Sequence, residues 1–348
     1  MKKKKVFLLE NQFKEIQIFR KNIYSTIYLC VHLPTNVTIG LEKFYYSYPL
    51  TDALSKYISF QVLIRKVFAP IFTIQKTYHI LRDNSHTIFF TESPEGETVI
   101  DLASHGEIPI QSVRYLFFLM AQTLFQIHGK GFSIRNWDPQ NFRITYTMIK
   151  FIGLSEIVPL ADVDNDQKLD WLGTITWMAP EMIKKYKYNR QQADVWCLGL
   201  FFYYLLMRET LFSPEDTYRQ FEEFEFSSFI SAKLKQYEMK GAQSKEKRYK
   251  NRHHGPFDSV ILDLLSKMLN LDPSSRVTIH EVLAHPFLKP SIPFPMIHLP
   301  FELSPDVAEW LNYFKLDPEQ SHKEMLLMSM SEENTLSQDL LRLQPTAV

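Results

Sequence analysis

Between residues 13 and about 93, short runs rich in β-branched and aromatic residues alternate with turn signals. The runs fall at 23–31, 37–44, 72–81 and 86–91, and their composition and length predict strands. Between the second and third runs, residues 54–68 place Leu54, Ile58, Val62 and Arg65 near helical spacing, which predicts one helix interrupting a sheet. From Pro94 onward the period changes, and residues 98–104, 112–128, 191–208, 257–269 and 278–284 read as helices, several with Pro or Gly near their ends. The expected fold is α+β and bilobal: a small β-rich N-lobe over 13–93, a hinge at 92–96 and a larger α-helical C-lobe over 97–288.

Two apolar runs, 115–127 and 195–207, fall short of the roughly 18 residues that a membrane span needs. They read instead as helices buried on most sides, so no membrane span is expected. The basic start Met1-Lys2-Lys3-Lys4-Lys5 resembles the opening of a secretion signal, but the apolar stretch behind it, 6–9, is shorter than the roughly seven residues required. Residues 1–12 are therefore read as a basic extension, and the expected location is cytoplasmic, or alternatively nuclear, and not secreted.

Composition narrows the picture. The 348 residues are 45% hydrophobic, enough to supply a sizeable core. Lys plus Arg equals Asp plus Glu at 39 each, so no global field draws the chain to nucleic acid, and none is expected as a partner. The two cysteines, Cys30 and Cys197, are far apart with no metal-ligand spacing, which argues against a disulfide framework or a zinc site.

Residues 209–255 read as a charged insertion within the C-lobe, ending in the basic run 245–254. After 288 comes a Pro-rich tail, 289–348, in which Val307, Trp310, Leu311 and Phe314 share one face of a predicted docking helix at 304–314, in cis on the C-lobe or in trans on a partner.

Candidate chemistry is concentrated in a few motifs. Gly173-Thr174-Ile175-Thr176-Trp177-Met178-Ala179-Pro180-Glu181 is followed by Asp194-Val195-Trp196-Cys197-Leu198-Gly199, and later by Arg276 and His285-Pro286-Phe287. In this order the motifs resemble the activation-segment end, central helix, partner arginine and domain end of the protein kinases, over residues 13–288. The resemblance implies a structural ion pair between Glu181 and Arg276 and core roles for Gly173 and Asp194. Arg135 corresponds to the arginine that binds an activation-segment phosphate, with Thr174 or Thr176 as acceptors, and a backbone-fixing role is the alternative for it. The acidic residues Asp162, Asp164, Asp166 and Asp170 are an alternative partner for it.

Set against that family, the chemical positions have changed. Ile134-Arg135-Asn136-Trp137-Asp138-Pro139-Gln140-Asn141 aligns with His-Arg-Asp-Leu-Lys-Pro-Glu-Asn. Asn136 replaces the aspartate that accepts the substrate proton, and an amide cannot usefully take that proton. Asp138 replaces a phosphate-facing lysine. Phe151-Ile152-Gly153 stands where Asp-Phe-Gly is expected; Gly153 is kept, but Phe151 offers magnesium no oxygen. The glycine loop maps onto Arg20 to Ile27 without a single glycine, Glu42 occupies the place of the phosphate-binding lysine, and Gln61 that of its helix glutamate. Lys43, one residue along the strand, points to the opposite face.

The resemblance therefore implies an inactive protein kinase homologue, a pseudokinase acting as an allosteric adaptor or scaffold for a protein partner, either a true kinase or another scaffold. It is similar to the STRAD-type adaptors in its glycine-poor loop, 22–29, and its insertion. No catalytic residue, no metal and no required cofactor are expected. Asn141 is the one residual nucleotide contact, and ATP, if it binds, is expected to do so weakly and without Mg²⁺. Two alternatives stand beside this reading: an unorthodox ATP-dependent serine/threonine kinase with Asp138 as base, and a metal-independent nucleotide-binding switch.

Overall fold

The computed structural model describes residues 12–22, 24–46, 51–82, 86–105, 108–134, 136–145, 148–160, 175–183, 188–212, 228 and 259–289. These form two compact units. Among the described residues, one unit holds those up to Gly96 together with Lys150–Ser155; the other holds Glu97–Ile149 and those from Glu156 to Lys289.

The first unit is an antiparallel sheet of β1 (Phe13–Lys21), β2 (Ser25–His32), β3 (Val37–Tyr45), β4 (Thr77–Arg82) and β5 (His86–Thr91), in the order β1-β2-β3-β5-β4. Side chains on a strand alternate between faces, and β3 uses both. Ile39 and Leu41 join Phe13, Cys30, Ile88 and Phe90 on one face. On the other face, Phe44 meets Phe89, Ile80 and the helix residues Ile58 and Val62. That helix, α1 (Asp52–Phe68), starts at Thr51, whose hydroxyl accepts from the Leu54 amide, and carries Arg65 and Lys66 in its last turn, where cations suit the helix dipole.

The strand expected over 72–81 begins only at Thr77. Residues 73–75 pair elsewhere: the Phe151 amide donates to the Thr73 carbonyl at 2.7 Å and the Gln75 amide to the Phe151 carbonyl at 3.0 Å. A run of β-branched and aromatic residues shows extended backbone but not which strand it joins.

The second unit is mainly helical: α2 (Val99–Ser104), α3 (Ile110–Gly129), α4 (Pro180–Ile183), α5 (Arg190–Met207), α6 (Ser259–Met268) and α7 (Ile279–Ala284). Phe117 of α3 and Phe202 of α5 stack with ring centres 4.2 Å apart. Gly199 lets α6 close on α5, because a methyl group there would lie 3.0 Å from the Leu269 side chain and 3.1 Å from Met268 Cβ. The helix α5 is capped by Asn189, which accepts from the Gln191 and Gln192 amides, and ends on Arg208 in the left-handed conformation. Short strands β6 (Phe132–Ile134) and β9 (Ile157–Pro159) form one ribbon, and β7 (Phe142–Thr145) with β8 (Met148–Phe151) another. At three or four residues they are too short to show a period. Among the described residues no helix is long and apolar enough to cross a membrane.

Candidate functional site

On the helix-facing side of β3 stands Glu42, opposite Phe89 of β5. Its side chain is 4% exposed and pairs with Arg65 of α1, itself 3% exposed. The Ser25 hydroxyl donates to Glu42 Oε1 at 2.7 Å, while Arg65 Nη2 donates to Oε2. The other end of the guanidinium donates to Gln61 Oε1 at 2.7 Å and to the Gln61 carbonyl at 3.3 Å. Its plane lies over the Phe89 ring, 4.3 Å from the centroid. Asn22 Nδ2 donates to Ser25 Oγ at 3.1 Å, and the Asn22 amide to the Ser25 carbonyl at 2.8 Å. The turn that carries no glycine is thus tied into the same network. Its tip residue Tyr24 packs on Tyr57 of α1, with ring centres 4.9 Å apart.

Between β3 and α1 a buried ion pair of opposite polarity to the family's Lys–Glu pair is present, with the carboxylate on the strand and the cation on the helix. Sequence reasoning placed Arg65 on the apolar face of α1 without giving it a partner. A charged residue on a buried helix face, four residues from Gln61, was the available signal, because buried charges are paired. Lys43 does point away from this network, pairing with Glu15 of β1 at 2.7 Å and lying over Tyr28.

Beyond β5 the backbone is similarly engaged. The Glu92 amide donates to the Lys76 carbonyl at 2.9 Å, and the Glu92 carbonyl accepts from Gln75 Nε2 at 2.9 Å. The Glu92 carboxylate accepts from the Lys76 amide and pairs with Lys150 at 3.1 Å. Pro94 has no N–H to offer. Gly40 of β3 lies tightly against this segment: a methyl group there would overlap Thr91 Oγ1 and sit 3.2 Å from both the Glu92 carbonyl and Pro94 Cδ. Lys76 donates its ammonium to the Ala69 carbonyl, and burial, with Lys150 nearby, pushes its pKa below the ordinary lysine value. Phe151 and Ile152 are buried, and Phe151 is paired through its backbone as described above.

In the second unit Asp194 of α5 is the organising group. Its Oδ2 accepts from the Ile134 amide at 3.1 Å and lies 2.8 Å from His128 Nε2; its Oδ1 accepts from Trp137 Nε1 at 2.7 Å. Burial pushes the Asp194 carboxyl up, and these three hydrogen bonds pull it back. The loop that Asp194 holds carries Asn136, Asp138 and Asn141. Asn141 is fully buried, and its Nδ2 donates to the Asn136 carbonyl at 3.1 Å. Asp138 Oδ1 accepts from the Gln140 amide at 2.8 Å and caps the single helical turn Pro139–Asn141. Arg276 grips Glu181 with both ends of its fork, at 2.6 and 3.1 Å, and also donates to the carbonyls of Gln192 and Asn270. Arg135, Thr174, Gly173, the acidic run 162–170, most of the insertion, and Val307, Trp310, Leu311 and Phe314 lie outside the described residues.

No group of three or more His, Cys, Asp or Glu able to hold a metal occurs among the described residues, and Glu42, which the sequence sets where the family has its phosphate-binding lysine, is a buried carboxylate paired with Arg65.

A family model described as protein kinase domain matches residues 23–288. The chain is similar to the mitosis inducer protein kinase cdr1 of Schizosaccharomyces pombe, 26% identical over 227 residues, which is 62% of this chain and 33% of that protein. It is similar to the mitogen-activated protein kinase HOG1 of Kluyveromyces lactis, 24% identical over 310 residues, covering 79% of this chain and 67% of the relative. Aurora kinase C of Mus musculus is 25% identical over 228 residues, with 62% and 70% covered. The match to the first of these thus spans only a third of that protein's length.

Proposed function

The chain belongs to the protein kinase family, and from that premise we propose that it is a catalytically inactive member that works by binding another protein, as an adaptor or allosteric scaffold. The observation that carries this reading is Glu42, held by Arg65 and Ser25, at the sequence position that the family resemblance gives to the phosphate-binding lysine. A carboxylate there repels a phosphate in a setting where charges interact strongly. Other features support the same reading. Phe151 supplies no metal ligand, and Asn136 supplies no base. Asp138, the one carboxylate in the loop, already accepts a backbone hydrogen bond and caps a turn.

The segment 92–96 adds to this. Its Glu92 backbone groups are satisfied within the first unit, and Pro94 has no amide. An adenine recognised through such a segment would find few partners, so ATP contributes nothing essential. The partner is a protein, and a true kinase fits the resemblance to STRAD-type adaptors.

The test is transfer of labelled γ-phosphate to the chain itself and to general serine/threonine substrates, with Mg²⁺ and with Mn²⁺. No transfer above that of an Asp138→Ala control is expected. Transfer that disappears in Asp138→Ala would overturn the proposal in favour of an unorthodox kinase.

A further inference from the structure

We propose that Glu42 and Arg65 form a built-in, charge-reversed latch that fixes α1 on the sheet without any ligand. In the family pattern a strand lysine pairs with a helix glutamate, and the same lysine meets the nucleotide phosphates. One cation therefore serves both the helix and the ligand. Here the signs are exchanged and the two roles are separated. Exchanging the charges leaves the attraction between strand and helix unchanged, because Coulomb energy depends only on the product of charges. It reverses the consequence for a phosphate.

A buried ion pair is stabilised when its remaining hydrogen-bonding groups are satisfied, and most of them are here, although Arg65 Nε and Gln61 Nε2 are buried without a partner among the described residues. Glu42 uses one oxygen for Arg65 and the other for Ser25. Arg65 uses one nitrogen for Glu42 and another for Gln61, one turn earlier on the same helix, and rests its guanidinium face on Phe89. An arginine fork keeps its charge at any ordinary pH and loses less freedom on pairing than a lysine would. The strands β3 and β5, the helix α1 and the β1–β2 turn are joined at one point. The position of α1 thus follows from the chain's own residues, and a partner that reads this helix meets one fixed surface.

The latch does not depend on whether the chain transfers phosphate. Phosphoryl transfer by the wild-type chain would overturn the function proposed above and leave the latch untouched.

The experiment compares Glu42→Gln, Arg65→Gln, the charge-swapped pair E42R/R65E and the milder Ser25→Ala by thermal unfolding and by amide exchange of residues 52–68. Each Gln variant leaves one buried charge unpaired, and Tm should fall by about 10 °C. Exchange in α1 should quicken while α5 keeps its protection. The swapped pair should recover at least half of the lost Tm, and Ser25→Ala should quicken α1 exchange with a Tm loss of only a few degrees. If neither Gln variant folds, folding of the swapped pair supports the latch and its failure to fold overturns it. A swapped pair no more stable than the two single changes summed, or α1 exchange in Ser25→Ala equal to wild type, also overturns it.

Discussion

Glu42 and Lys43 are neighbours on β3 and take opposite faces, one into the buried network under α1 and the other toward Glu15. Strand alternation makes that assignment readable from sequence. The partner of Glu42 was not readable, because a helix periodicity gives a face and not the contact that the face makes. Gly40 is a second example. Its lack of a side chain is needed only because Thr91 and Pro94 fold back on it, which no local pattern shows. Gly40→Ala should lower stability by roughly 1–3 kcal/mol through overpacking, read as a shift in the urea midpoint. His32 carries a pH dependence. Burial against Phe13 holds its pKa down to about 4, from an ordinary 6.5. Between those values the unfolded chain binds a proton that the folded chain does not, so its contribution is complete above pH 6.5 and is lost as pH falls toward 4. Urea midpoints measured across that window should decline more steeply for wild type than for His32→Gln, and parallel curves would contradict this.

At the level of elements, helices were the most legible. The helix predicted over 191–208 is found at Arg190–Met207, and that over 278–284 at Ile279–Ala284, where Thr278 and Glu281 form a reciprocal cap. Such caps and a 3.6-residue period are local properties, so the sequence displays them. The pairing of Phe151 with residues 73–75 joins segments far apart in the chain, and the short ribbons β6–β9 and β7–β8 show no period at all. The end of α5 offers a test of local backbone strain. Arg208 sits at φ 58° with an exposed side chain, a conformation that disfavours any residue with a Cβ. Arg208→Gly should therefore raise stability by about 0.5–1 kcal/mol, seen as a higher denaturation midpoint with an unchanged m-value. A loss of stability would mean that the arginine side chain contributes more than its backbone costs.

For the whole molecule, family membership follows from motifs spread over residues 23–288, and these motifs hold the backbone in place. Asp194 anchors the loop of Asn136, and Arg276 anchors Glu181, through buried side chains. The residues that the family resemblance sets against nucleotide or metal make structural contacts. Glu42 pairs with Arg65, Asp138 caps a turn, and Asn141 ties its own loop. The proposed function, binding rather than transfer, rests on that contrast. Its most direct test is thermal unfolding of the purified chain with millimolar ATP, once with Mg²⁺ and once with chelator, since a ligand that binds only the folded state must raise Tm. The same Tm is expected in both conditions as without nucleotide. A Tm raised by several degrees with ATP and Mg²⁺, and abolished by chelator, would contradict it.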